Sequence, residues 1–251
     1  MRVAFVGKGG VGKSSIAGTF ARLLSSTGRQ VLALDSDPMP GLAYSLGVPS
    51  HDAGIPDAAV EAFERDGRQH LRLRQGLTAS QVVEQYAVRA PDSVYFLQLG
   101  KARGPRWDND AQHAAFHQVI DELPDNDWSV VGDLPGGTRQ PFQTWGRYAR
   151  TVIVVVEPTP ASILTGRRLA RLSSAASHPT VLALASKVTD ASDSERVADG
   201  TGLQVVGCIP LDSALADADR RGRAILDLSP GSPYVEAVRS VVSALSAKED
   251  Q

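Results

Sequence analysis

The sequence predicts a doubly wound α/β domain, a mostly parallel sheet with helices on both faces. Apolar runs at residues 3–6, 31–34, 94–99, 130–131, 152–156, 181–185 and 205–209 alternate with helical patterns. Most of these runs are continuously apolar, as strands buried on both faces of a parallel sheet must be. The first of them leads through a glycine-rich loop straight into a helical pattern with Ile16, Phe20, Leu23 and Leu24 on one face. In such a sheet ligands sit at the carboxyl ends of the strands.

The loop reads Gly7-Lys8-Gly9-Gly10-Val11-Gly12-Lys13-Ser14-Ser15. Strand, glycine loop, helix is the context of a phosphate-binding loop. Its glycines allow a tight turn and a close backbone approach, and its N–H groups converge where the positive helix end lies. In such a loop Lys13 reaches the β- and γ-phosphates, the Ser14 hydroxyl ligates Mg²⁺ and Ser15 meets the α-phosphate. Lys8, directly after the first glycine, is not required by an ordinary loop of this kind. The loop resembles the deviant Walker A loop of the MinD/ParA-type ATPases. That resemblance implies ATP and Mg²⁺ as cofactors and a Lys8 that reaches a second subunit's nucleotide, so that ATP holds a homodimer face to face.

The second run ends in Asp35-Ser36-Asp37-Pro38. Two carboxylates two residues apart at a strand end can share a Mg²⁺-and-water site, although they also suit turn capping ahead of a proline. The resemblance makes this stretch switch I, with Asp37 orienting the attacking water and Asp35 close to Mg²⁺. A short helix is expected over 40–47. Residues from about 50 to 92 exceed what a simple crossover needs and are expected to form a helical insertion within a single domain spanning 1–251.

Beyond the third run, Asp108, Asp110, His113 and His117 cluster, the two histidines four apart on one helix face. They read as the polar start of a surface helix, with a divalent-metal set as the competing reading. The MinD/ParA-type relatives that serve nickel carbon monoxide dehydrogenase carry a Cys-x-Cys pair in this region; residues 102–110 here hold no cysteine. The run at 130–131 opens into Gly132-Asp133-Leu134-Pro135-Gly136-Gly137. This has the form of a Walker B strand and switch II: Asp133 holds a Mg²⁺-bound water and the Gly136 N–H senses the γ-phosphate. A helix is expected over 139–150, with Phe142, Trp145 and Tyr148 packing into the core.

The run at 152–156 continues into Glu157-Pro158, then Ser162-Ile163 and Arg167-Arg168, a pattern similar to the same accessory ATPases. Arg167, Arg168 and Arg171 form a basic helix stripe, read as a solvated face, with contact to DNA phosphates as the alternative. Ser186-Lys187 stands where relatives place an Asn-Lys that reads adenine; a serine hydroxyl can make one such bond but not the paired amide contact. The resemblance also puts Pro210 in a loop that covers the adenine. Cys208, the only cysteine, lies in an apolar run and is expected to be a buried, inert thiol. Val235, Val238, Val242 and Leu245 mark one face of a final helix.

Composition narrows the function. The chain is 42% hydrophobic with a formal net charge of −2, which gives no global field favouring nucleic acid or anionic lipid. No run is long enough to span a bilayer, and the acidic tail lacks the basic amphipathic helix with which cell-division relatives bind membrane. A cytoplasmic location, no membrane association and a protein client are therefore expected. Two outputs compete: an accessory or maturation factor for a partner metalloenzyme, and a partition or positioning ATPase that uses DNA or another matrix.

Overall fold

The structure, a computed structural model, describes residues 1–37, 41–49, 54–99, 110–137, 146–175 and 180–249. Its central sheet has eight strands in the order β10-β9-β8-β1-β7-β2-β6-β5. These are β1 (Arg2–Gly7), β2 (Val31–Asp35), β5 (Val88–Arg89), β6 (Tyr95–Gln98), β7 (Ser129–Asp133), β8 (Thr151–Val156), β9 (Thr180–Val188) and β10 (Val205–Pro210). All neighbours pair in parallel except β5, which runs antiparallel along the β6 edge. Every strand expected from an apolar run is present.

Side chains alternate across the sheet as a period of two demands. Val3 and Phe5 of β1 face one core, Ala4 and Val6 the other. The first core is closed by α1 (Lys13–Ser25), α2 (Leu42–Leu46), α7 (Ser213–Arg220), α8 (Ile225–Leu228) and α9 (Pro233–Glu249). On the opposite face lie α3 (Ala79–Tyr86), α4 (Asp110–Glu122), α5 (Pro160–Ala175) and α6 (Asp193–Thr201). Val235, Val238, Val242 and Leu245 of α9 are all buried, as their spacing requires.

Two expectations change. The segment read as a helical insertion carries an antiparallel hairpin, β3 (Val60–Arg65) with β4 (Arg68–Leu73), ahead of the helix α3. Its turn is Asp66-Gly67, both at positive φ (53° and 71°), the geometry that a two-residue hairpin turn matching strand twist prefers. Cys208 is exposed rather than buried. Its strand is an edge of the sheet, and its side chain points away from the face on which neighbouring Ile209 is packed. The thiol is accordingly expected to react stoichiometrically with an aromatic disulfide reagent in the native protein, read by absorbance; no reaction until denaturant is added would place it inside. The helix expected over 139–150 lies mostly outside the described residues, but Tyr148 is buried.

Candidate phosphate-binding site

β1 occupies the middle of the sheet, between β7 and β8, and its last residue opens the loop. Gly7 has φ 151°, and a Cβ there would lie 2.5 Å from the Val155 carbonyl oxygen, so β8 leaves no room for a side chain. Gly10 and Gly12 adopt left-handed φ values of 82° and 92°, cheap only for glycine. Gly12 caps α1 without any side-chain hydrogen bond, and the first turn holds no acidic residue. The leading N–H groups of α1, including those of Lys13, Ser14 and Ser15, are thus left for an anion. Lys13 is only 8% exposed, its ammonium 3.5 Å from the Lys8 carbonyl, folded back over the loop. Lys8, Gly9 and Gly10 are exposed, whereas Val11 is buried.

Two contacts grip this loop from β9. The Ser186 hydroxyl donates to the Val11 carbonyl at 2.9 Å, and the Lys187 Nζ donates to the Gly10 carbonyl at 2.7 Å. Lys187, itself at φ 56°, also pairs with Glu157 Oε1 at 2.5 Å. Glu157 in turn donates its N–H to the buried Ser162 hydroxyl at the start of α5. Ser186 therefore spends its hydroxyl proton on the loop. Sequence reasoning missed Glu157 as a site residue; the signal was an acid directly after β8, beside the strand that carries Ser186-Lys187 near its end.

The acids sit on the other side of β1. Asp35 and Asp133 stand opposite each other across the β2–β7 ladder, both buried. Asp35 accepts three backbone N–H bonds, from Asp37 (3.0 Å), Gly41 (3.1 Å) and Leu42 (3.0 Å), and so holds the segment that leads into α2. Asp133 is hydrogen-bonded by Ser14, yet its Oδ1 is buried with no partner. Burial pushes the Asp133 carboxyl up to about 7, with the Asp35 charge adding to the rise. Asp35 is likewise raised by burial, to about 6, despite its N–H donors. Crowded acids with an orphaned oxygen beside a serine hydroxyl are the hard-oxygen environment that Mg²⁺ takes, with phosphate oxygens completing the set. The residues present fit that ion: Ser14 and Asp133, with Asp35 and Asp37 at its margin.

Gly136 lies against the loop. A Cβ on it would be 3.6 Å from the Gly9 nitrogen and 3.8 Å from the Gly7 oxygen, so the segment that follows β7 and the loop meet. Asp37, partly exposed, follows two residues after Asp35 and donates its N–H to that carboxylate. Pro210 ends β10 beside Val188, next to Leu211, whose N–H donates to the Val188 carbonyl. The neighbouring Asp212 is structural: it caps α7 through the Ala214 N–H and accepts the Tyr234 N–H near the start of α9. Among the described residues no three His, Cys, Asp or Glu groups converge on a metal site, and of the histidine cluster only His113 and His117 have described side chains. Asp108 lies outside the described residues, and burial lowers the His117 pKa.

A buried β-strand, a glycine loop and a free helix end flanked by two buried acids define a P-loop nucleotide-binding domain. Residues 3–225 match the CobQ/CobB/MinD/ParA nucleotide binding domain, and the chain belongs to that family. It is 29% identical over 248 residues to the carbon monoxide dehydrogenase accessory protein CooC of Rhodospirillum rubrum, covering 92% of this chain and 91% of that one. It is also 29% identical to the antiactivator FleN of Pseudomonas aeruginosa, over 94% of this chain and 82% of the relative. Among solved structures, the septum site-determining protein MinD of Pyrococcus horikoshii, complexed with Mg-ADP, superposes with a TM-score of 0.71 at 19% identity, covering 98% of this chain and 96% of that one.

Proposed function

We propose that the chain is a single-domain, Mg²⁺-dependent ATPase that dimerises on ATP and hydrolyses it slowly to ADP and phosphate under a partner's control. Lys13 and the α1 N–H groups neutralise the β- and γ-phosphates. Asp37 orients the attacking water. Mg²⁺, when bound, would supply charge neutralisation between the phosphates, with Ser14 and Asp133 holding it. Gly136 carries the state of the γ-phosphate into switch II, and Lys187, Ser186 and Pro210 border the base. The cytoplasm is the compartment that suits such a switch.

The observation that carries this reading is the division of labour between the two loop lysines. Lys13 is folded inward over the loop, whereas Lys8 is exposed at its mouth, where a second copy could offer its nucleotide. Lys8→Ala is expected to abolish ATP-induced dimers while leaving ATP affinity of the monomer within about threefold, a change under 1 kcal/mol. Light scattering with and without ATP checks this, and dimers that persist refute the trans role.

As to output, an accessory role towards a partner metalloenzyme is favoured by similarity to the carbon monoxide dehydrogenase accessory protein along nearly the full length. Direct carriage of metal by a cysteine pair is not part of the proposal, because Cys208 is alone. The alternative, a positioning ATPase of the MinD/ParA type, draws on the structural neighbours and on the three arginines of α5. A steep loss of ATP-dependent DNA binding with rising salt would favour it.

A further inference from the structure

We propose that the site takes purine nucleoside triphosphates without telling adenine from guanine, holding the base by its faces rather than by its edge. This rests on reading the loop as a nucleotide site and names the nucleotides that site takes.

The acids orient the ligand. Asp133, on β7 with Ser14 hydrogen-bonded to it, fits the ion that bridges the β- and γ-phosphates. The nucleoside end then leaves on the other flank of β1, towards the carboxyl ends of β9 and β10. The two purines differ there at their edge. Adenine presents an N6 amino donor where guanine presents the O6 acceptor, and guanine adds an N2 amino donor. A rim that separates them needs a donor or acceptor of fixed direction aimed at those atoms. The donors on this rim are already engaged. Ser186 gives its proton to Val11, and Lys187 is anchored at both Gly10 and Glu157. The N–H groups of Thr189 and Asp190 donate to Asp193 Oδ2, at 3.0 and 3.1 Å, and that of Leu211 donates to Val188. Pro210 has no N–H to offer.

The carboxylates that would accept from guanine are occupied as well. Asp190 Oδ1 accepts the Ser192 N–H at 2.8 Å and the Ser192 hydroxyl at 2.7 Å. Asp193 holds the two N–H groups just named, and Asp212 accepts from Ala214 and Tyr234. Ser186 is only 3% exposed, its hydroxyl 3.7 Å from where a Cβ on Gly12 would stand, so it has little surface to show a base. The exposed hydroxyls of Thr189 and Ser213 select neither purine, because a hydroxyl turns to donate to O6 or to accept from N6. What this rim presents to solvent is apolar. Leu211, directly after Pro210, is 64% exposed, the most exposed large apolar side chain among the described residues. Beside the loop it can lie on the face of a base, and both purines have such a face. Edge readout rejects a wrong base by orders of magnitude, whereas contact through faces separates similar ligands weakly.

Titration calorimetry of the full chain with Mg²⁺ and the non-hydrolysable imido analogues of ATP and GTP tests this. The two are expected to bind with dissociation constants within about fivefold of each other. Ser186→Ala removes a fastener of the loop and should weaken both analogues by the same factor, leaving their ratio unchanged. Leu211→Ser should also weaken both, by about threefold or more, again at an unchanged ratio and with an unaltered circular dichroism spectrum. A preference of about tenfold or more for either purine overturns the proposal. So does a ratio that moves in Ser186→Ala, which would make that hydroxyl a reader of the base, or full affinity in Leu211→Ser, which would remove the face contact. Failure of the underlying reading looks different. If neither analogue binds, the nucleotide site itself falls and this inference with it; tight uptake of the ATP analogue with exclusion of the GTP analogue sinks the inference alone.

Discussion

Replacing Asp37 with alanine is expected to lower ATP turnover by about a hundredfold or more, the loss typical of removing a group that positions or deprotonates a nucleophile. Nucleotide binding should be spared. The loop glycines, Lys13 and the free end of α1 hold the phosphates, and Asp37 contributes its backbone N–H to Asp35 whatever its side chain. The ATP-bound dimer should therefore accumulate in Asp37→Ala, visible as a stable doubled mass that does not decay over the wild-type turnover time. Single-turnover measurement of phosphate release separates the outcomes. An unchanged rate would remove Asp37 from the chemistry; loss of ATP binding together with turnover would make it a structural residue of the segment leading to α2.

Asp133→Asn is expected to act in opposite directions on stability and on function. In the nucleotide-free fold the Asp133 carboxyl is pushed up to about 7 and its neighbour Asp35 to about 6, from an ordinary 3.8. Between those values the native state binds more protons than the unfolded chain, so stability falls as pH rises. The contribution is fully present below about pH 4 and is lost as pH climbs through the folded values, leaving the strain complete above about pH 7. An asparagine removes the ionisation while keeping an oxygen for Ser14. The nucleotide-free variant should thus be more stable at pH 8 by about 1–3 kcal/mol, a rise of several degrees in Tm. Its stability should also vary less between pH 5 and pH 8. The same change should remove the Mg²⁺ dependence of nucleotide affinity, since a neutral amide is a poor partner for a hard dication. A variant less stable than wild type at every pH would contradict the crowding of the two acids.

How much of this could be read beforehand divides along physical lines. The buried parallel strands were legible because burial on both faces writes an uninterrupted apolar run, and the loop was legible because left-handed turns and the press of Val155 on Gly7 demand glycine. The β3–β4 hairpin was not, since Arg68, Gln69, His70 and Leu71 are exposed and form no apolar block. Its only local signal was Asp66-Gly67. Cys208 was misplaced because an apolar strand does not disclose that it is an edge. Within the site, Asp35 and Asp133 each stood out as an acid closing an apolar run, and they come side by side because their two strands pair in register. The grip of Ser186 and Lys187 on the loop joins residues more than a hundred positions apart, and no local pattern encodes a contact of that kind. Tyr148 is similar: its hydroxyl fills the space where any side chain on Gly132 would stand, a fit that only the folded chain displays.

That grip has a further consequence. Carbonyl oxygens of Gly10 and Val11 that are already engaged by Lys187 and Ser186 are held from swinging round to face an incoming anion. The cup exists before its guest arrives, and little conformational freedom is left to surrender at the moment of capture. Loosening the two fasteners on β9 should therefore be felt first as slower, weaker loading of the triphosphate rather than as a damaged fold.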